Sequence, residues 1–272
     1  MSRTPRMGTL AWAEQSARLS NTERIRLIAD VAASQVTAGL ERFAVRSGLR
    51  GAALGRVDLK SVPVVDSIEA RAALEFATEV YDLRLLLHCQ RSWYWSWMLG
   101  QYEGRRADPE LVFVSCILHD LGLADRYSPA AADGDFSVVG ALAARTFLTE
   151  RGWAPQRRDI VADAISLHLN PRVDARIHGD EARLLSLGPA LDFFGFGAHR
   201  IPSATAREVL EKHPRPESAK DLFPEIVHGD GCRPSFLLSL GIKRFVTDNP
   251  LDRIGDTVNE SGSLLGSPRQ DD

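Results

Sequence analysis

The stretch Asp108-Pro109-Glu110-Leu111-Val112-Phe113-Val114-Ser115-Cys116-Ile117-Leu118-His119-Asp120-Leu121-Gly122 decides how the chain folds. Asp108 suits a helix N-cap, Pro109 suits the first helical position, where no amide hydrogen is needed, and Gly122 supplies a stop. Between them the run is almost continuously apolar, which marks a buried helix. His119 and Asp120 fall at its C-terminal end, two polar side chains where an apolar helix meets the interior. Adjacent residues on an α-helix diverge by about 100°, so both reach one point only if the helix ends or unwinds there, as Gly122 permits. A divalent cation would satisfy the pair, since neutral imidazole and carboxylate are ligands of zinc, iron and manganese. A local hydrogen-bond pair would satisfy it as well.

Helical punctuation recurs on both sides of this stretch and strand alternation is nearly absent, so the expected fold class is all-α. Upstream, Asn21 is read as the cap of a helix carrying Leu27, Ile28, Val31, Leu40 and Phe43 and ending near Gly48. Asp66 with Glu69 resembles a capping box for a helix bearing Ala70, Leu74, Ala77 and Tyr81. The next helix is expected from about Leu83 to Leu99, stopping at Gly100. Downstream, helices are expected from near Ser137 to Gly152, from Pro155 through His168, and from Asp180 to Gly195. Thr205 with Glu208, and residues 236–245, suggest two more. Gly48, Gly51, Gly55 and Pro63 mark a connector. The chain therefore divides into an N-terminal helical extension and connector (1–58), a metal-binding domain (59–200), a C-terminal helical extension (201–247) and a mobile tail (248–272).

At 272 residues, 44% apolar and 25% charged, the chain has the composition of an ordinary globular protein. A net charge of −3 offers no field to concentrate nucleic acid, so none is expected as a partner. The longest strongly apolar stretch, Leu111 to Leu118, falls short of the ~20 residues that cross a bilayer. No signal-peptide pattern precedes Glu14, and a cytoplasmic location without membrane association is expected. A small-molecule substrate is the partner this leaves, with a homo-oligomer possible. Cys89, Cys116 and Cys232 match no zinc ribbon or redox motif and are given no chemistry.

Three further residues share the character of the His119–Asp120 pair. His88 follows Leu85, Leu86 and Leu87; His168 follows Ile165 and Leu167; Asp192 follows Leu191. Each is polar in apolar surroundings on a separate expected helix. Taken singly, each is a core residue with a local hydrogen bond; together they suggest ligands projecting inward from facing helices, as helical proteins build metal centres.

The segments Leu87-His88-Cys89-Gln90-Arg91, Ile117-Leu118-His119-Asp120-Leu121-Gly122, Ala164-Ile165-Ser166-Leu167-His168 and Leu191-Asp192-Phe193-Phe194-Gly195 resemble those of the HD-domain metal-dependent hydrolases and hydratases, and among these the cyanamide hydratase-like branch. The resemblance covers about residues 60–200. It implies an HD-domain helical bundle with the metal between helices, held by His88, His119, Asp120 and Asp192. The cofactor implied is one divalent transition metal, zinc favoured, with iron or manganese possible. Such an ion leaves a position for water and lowers its pKa. The resemblance implies attack of that water on a small cyano compound, cyanamide or a nitrile, with Asp120 and His168 catalytic and His168 the proton shuttle.

Arg91, three residues after His88, either orients substrate or pairs with an acid such as Asp82 or Glu103. Trp93, Trp95 and Trp97 cannot share one helix face; Trp93, with Phe136, is placed against the substrate. The chain departs from the branch at Ser137, where a Phe-Glu pair is usual, and at Leu87 and Cys89, which stand in place of Asn and Ser. Two alternatives follow: a phosphohydrolase acting on a nucleotide or phosphate ester, with Arg84 and Arg91 as phosphate ligands, and a non-catalytic HD-fold binding or regulatory protein.

Overall fold

Caps written into the sequence set most helix boundaries. The structure, a computed structural model, describes residues 5–15, 18–127, 130, 134–215, 232–242, 246 and 248–254. It comprises α1 (Leu10–Ala13), α2 (Asn21–Arg46), α3 (Gly51–Leu54), α4 (Ile68–Val80), α5 (Leu83–Glu103), α6 (Pro109–Leu118), α7 (Phe136–Glu150), α8 (Pro155–Leu167), α9 (Ala175–Phe194), α10 (Ser203–Lys212) and α11 (Arg233–Leu237), joined by short turns. The fold is all-α, with no strand among the described residues. No helix among them is long and apolar enough to cross a membrane.

Several boundaries differ from expectation, each for a local reason. Ser20, not Asn21, caps α2: its hydroxyl accepts from the Glu23 amide while the Glu23 carboxylate accepts from the Ser20 amide. Ser67, not Asp66, caps α4, and Asp66 turns to Arg71 at 2.9 Å. Helix α5 runs through Gly100 to Glu103 and is closed by Gly104 in the left-handed region (φ 67°). Gly100 is a packing residue, since a Cβ there would press on Leu184 of α9. Asp174, not Asp180, caps α9, and Asp180 sits just after a break at Gly179 (φ 87°). Helix α10 starts at Ser203 without a side-chain cap, so Thr205 and Glu208 form no box at its start. Of the helix expected over 236–245, residues 243–245 lie outside the described residues; before them α11 passes into a wider turn, Leu238–Ile242.

The core is the packing of α5 against α9, with α4, α6, α7 and α8 around them. Gly188 lets α9 come close to α5, because a Cβ there would collide with the Ser92 carbonyl and the Ser96 hydroxyl. That approach brings His88, Arg91 and Trp95, at i, i+3 and i+7 on one face of α5, within reach of Asp192. Leu118, Ile165, Leu167 and Leu185 are fully buried in one hydrophobic core. Near the C-terminus, Asn249 is buried and donates from Nδ2 to the carbonyls of Asp192 (2.8 Å) and Phe193 (3.2 Å), so the first residues of the expected tail are packed on α9. Residues 255–272 lie outside the described residues.

Candidate metal centre

Three helix ends and one helix interior converge on the site. The α6 helix stops at Leu118; His119 is its C-cap, and Asp120 has left the helix at φ −104°, ψ 19°. This unwinding turns two adjacent side chains toward one point. Gly122 and Gly140 make room for it: a Cβ on Gly122 would run into the Phe136 carbonyl, and one on Gly140 would stand 3.1 Å from the His119 carbonyl. His168 is the C-cap of α8, His88 lies within α5 and Asp192 in the last turns of α9. All five side chains are buried.

Hydrogen bonding fixes which imidazole atoms are free. A carbonyl oxygen only accepts, so Nδ1 of His119, 2.8 Å from the Cys116 carbonyl, and Nδ1 of His168, 2.7 Å from the Ile165 carbonyl, each carry hydrogen. Nδ1 of His88 donates to Oδ2 of Asp192 at 2.7 Å. In the neutral rings Nε2 is then a bare lone pair. The Nε2 atoms of His88 and His119 are 3.3 Å apart, and they lie 3.5 and 3.3 Å from Oδ2 of Asp120. Three acceptors meeting this closely among buried side chains repel one another unless positive charge sits among them. Their spacing fits a metal: ligands at ~2.0–2.2 Å in tetrahedral array stand roughly 3.3–3.6 Å apart. His88, His119 and Asp120 thus form a group able to hold a divalent ion. His168 Nε2, 3.9 Å from Oδ1 of Asp120, borders it.

Charge is balanced within this cluster. Burial opposes ionisation of Asp120, but His119, with His88 and His168, holds its carboxyl well below the usual range. Burial also opposes charge on His119, yet Asp120 and Cys89 raise its pKa well above the ordinary histidine value. His168 goes the other way. Burial, reinforced by His119, takes its pKa down to about 3 and leaves it neutral near pH 7.

Asp192 is placed differently from the other expected ligands. Both its oxygens are occupied: Oδ1 accepts from Arg91 Nε (2.9 Å) and Trp95 Nε1 (2.8 Å), Oδ2 from His88 and from a second Arg91 nitrogen (2.9 Å). Burial raises its pKa, but Arg91 and Arg215 outweigh that and hold the carboxyl well below the usual range. Arg91 itself donates onward to the Pro214 carbonyl at 2.7 Å. It therefore pairs with neither Asp82, which caps α5, nor Glu103, which binds Arg183. Sequence reading missed Trp95 and Arg215 as holders of Asp192. The i+7 spacing from His88 offered a signal for Trp95; nothing local marked Arg215.

A cleft of about 1200 Å3 opens from the site, and His88, His119, Asp120, His168 and Phe136 lie on its wall. The Phe136 ring sits 5.9 Å from that of His168. Arg91 and Trp93 are not on the wall: Arg91 is buried on Asp192, and Trp93 packs against Trp97 and Phe113. Ser137 does not face the cleft either. Its hydroxyl donates to Asp135 at 2.6 Å and accepts from the fully buried Arg233 at 2.5 Å, and Arg233 also binds the other Asp135 oxygen. The three cysteines are all buried, Cys89 lying 3.7 Å from His119 Nδ1.

The family model described as HD domain matches residues 85–222, a span that contains His88, His119, Asp120, His168 and Asp192. No curated protein matches the chain.

Proposed function

The chain belongs to the HD domain family, and from that premise we propose that it is a metal-dependent hydrolase acting on an anionic substrate, a phosphate ester or nucleotide. The observation that carries the metal is the three facing acceptors of His88, His119 and Asp120, whose hydrogen-bearing ring atoms are committed elsewhere. Zinc suits their spacing and ligand types, with iron or manganese also served by two imidazoles and a carboxylate. Such an ion, when bound, supplies a Lewis acid and lowers the pKa of its water.

The chain's own residues do the rest. Asp192, clamped by Arg91 and Trp95, fixes the ring of His88 and keeps its Nε2 lone pair directed inward. The Cys116 carbonyl does the same for His119. His168, neutral and unprotonated at Nε2, stands beside Asp120 as the acceptor for a proton leaving water.

The anionic substrate is supported by the cleft wall, which carries eight arginines against four aspartates. Several of these arginines are paired, but Arg6, Arg42 and Arg172 are exposed and have no carboxylate partner among the described residues. Guanidinium groups of this kind suit phosphate oxygens. The cleft is also far larger than cyanamide requires.

A cyano compound is the second reading, supported by the resemblance to the cyanamide hydratase-like branch and by the apolar faces of Phe136 and Phe193 beside His168 and His88. The non-catalytic reading rests on the missing carboxylate at Ser137, a side chain that lies off the cleft and bonds Asp135 and Arg233. The test is a paired panel on metal-loaded protein, phosphate monoesters and nucleotides against cyanamide and small nitriles. Phosphate release whose KM rises in Arg42→Ala or Arg172→Ala is the expected result. Turnover of cyanamide alone would move the reading to hydration, and turnover of neither panel would favour a binding protein.

A further inference from the structure

Helix α2 carries an apolar stripe on the side turned away from the protein. Its inner face, through Leu27, Val31, Ser34 and Ala38, meets the body and lines the cleft, and Leu27 is its only fully covered side chain. On the opposite side Ile25, Ile28, Val36, Leu40 and Phe43 are 48–69% exposed. With Ala29, Ala32 and Gly39 between them, they all fall within about 60° of one line down the helix at 100° per residue. No charged side chain enters that stripe between residues 25 and 43.

The order of residues in the stripe is symmetric about position 34. Ala32 answers Val36, Ala29 answers Gly39, Ile28 answers Leu40, and Ile25 answers Phe43. In a contact between identical copies related by a two-fold axis, residue i of one copy meets residue j of the other and j meets i, so this order sets apolar against apolar at every pair. A lipid surface or an unrelated partner demands no such symmetry. The small residues sit near the centre, where two crossing helices approach most closely. At roughly 100 Å2 per exposed large side chain, with the small residues between, two copies bury on the order of 1,200 Å2, the lower bound for a stable specific interface.

We propose that this face of α2 pairs antiparallel with the same face of a second copy, so that the outer wall of each cleft is the dimer interface. The contact clamps from outside a helix that its own chain holds by few bonds, among them Ser34 to the Pro171 carbonyl (3.0 Å) and Glu41 to Arg200 (2.5 Å). The inference does not depend on the metal or the substrate.

Light scattering and sedimentation of the full chain test it. The expected mass is that of two chains at micromolar concentration. Val36→Glu with Leu40→Glu is expected to weaken dimerisation about a hundredfold or more, with unchanged far-UV circular dichroism. A mixture of Ile28→Cys and Leu40→Cys proteins is expected to form a mixed disulfide faster than either forms one alone, the native cysteines being buried. A monomeric wild type, a dimer indifferent to the double substitution, cross-linking only between like positions, or a monomer that binds anionic vesicles through Val36 and Leu40 would each overturn it.

Discussion

The α5–α9 pair and helix α2 face the same cleft, yet they are built on opposite terms. Along α5 and α9 every polar group that meets the metal centre has a fixed partner: His88 is held by Asp192, and Asp192 by Arg91, Trp95 and His88 at once. Helix α2, at 26 residues the longest of the described helices, fully buries one side chain and leaves an apolar stripe open. The first arrangement trades hydrophobic area for orientation, which a site that must hold atoms to within tenths of an ångström needs. The second holds a wall in place with little of its own packing and leaves the remainder to another surface.

Breaking the first region should have the larger consequences. His119→Ala removes one of three convergent acceptors, and the expected outcome is loss of both bound metal and all measurable turnover. His168→Ala should retain metal while turnover falls about 10²–10⁴-fold, the usual weight of a general base; metal analysis beside rate measurement separates the two variants. Asp192→Asn strands Arg91 without its charge partner. Unfolding in denaturant should show a loss of about 3–5 kcal/mol, and metal affinity should drop roughly 10–100-fold.

The pH dependence of the metal-free protein sharpens the contrast further. With a folded pKa of about 3, His168 takes up its proton in the unfolded chain first, near ~6.5. Its contribution to stability is therefore complete above that value and is lost as pH falls toward 3. Melting temperature in the presence of chelator should decline over that window, and less steeply in His168→Ala. Asp192, whose carboxyl is depressed, gives up its contribution only below its unfolded value near ~3.9. The smallest effect belongs to α2. Val36→Glu with Leu40→Glu should alter the intrinsic stability of the monomer by no more than about 0.5 kcal/mol per site, since both side chains are largely exposed on their own chain.

Legibility in the sequence follows the same division. Local signals were enough where a feature is local: Asp108 and Pro109 do start α6, and the helix does unwind at His119–Asp120 as chelation by neighbours requires. Convergence of His88, His119 and Asp120 was readable because polar residues at the ends of apolar runs must find partners. The roles of Arg91 and Asp192 were not, since they depend on how closely α5 approaches α9, which Gly188 and Gly100 set through space. Arg215, Arg233 and Asn249 lie far along the chain from the groups they hold, and no local pattern announces them. The apolar residues of α2 were visible at helical spacing, but spacing alone does not say which face is turned to the core.

Metal content of the purified native protein, measured by mass spectrometry beside that of His119→Ala, tests the account most directly. About one transition-metal ion per chain in the wild type and none in the variant is the predicted result. No metal in the wild type, even after reconstitution with zinc, iron and manganese, would contradict the claim that His88, His119 and Asp120 form a metal centre.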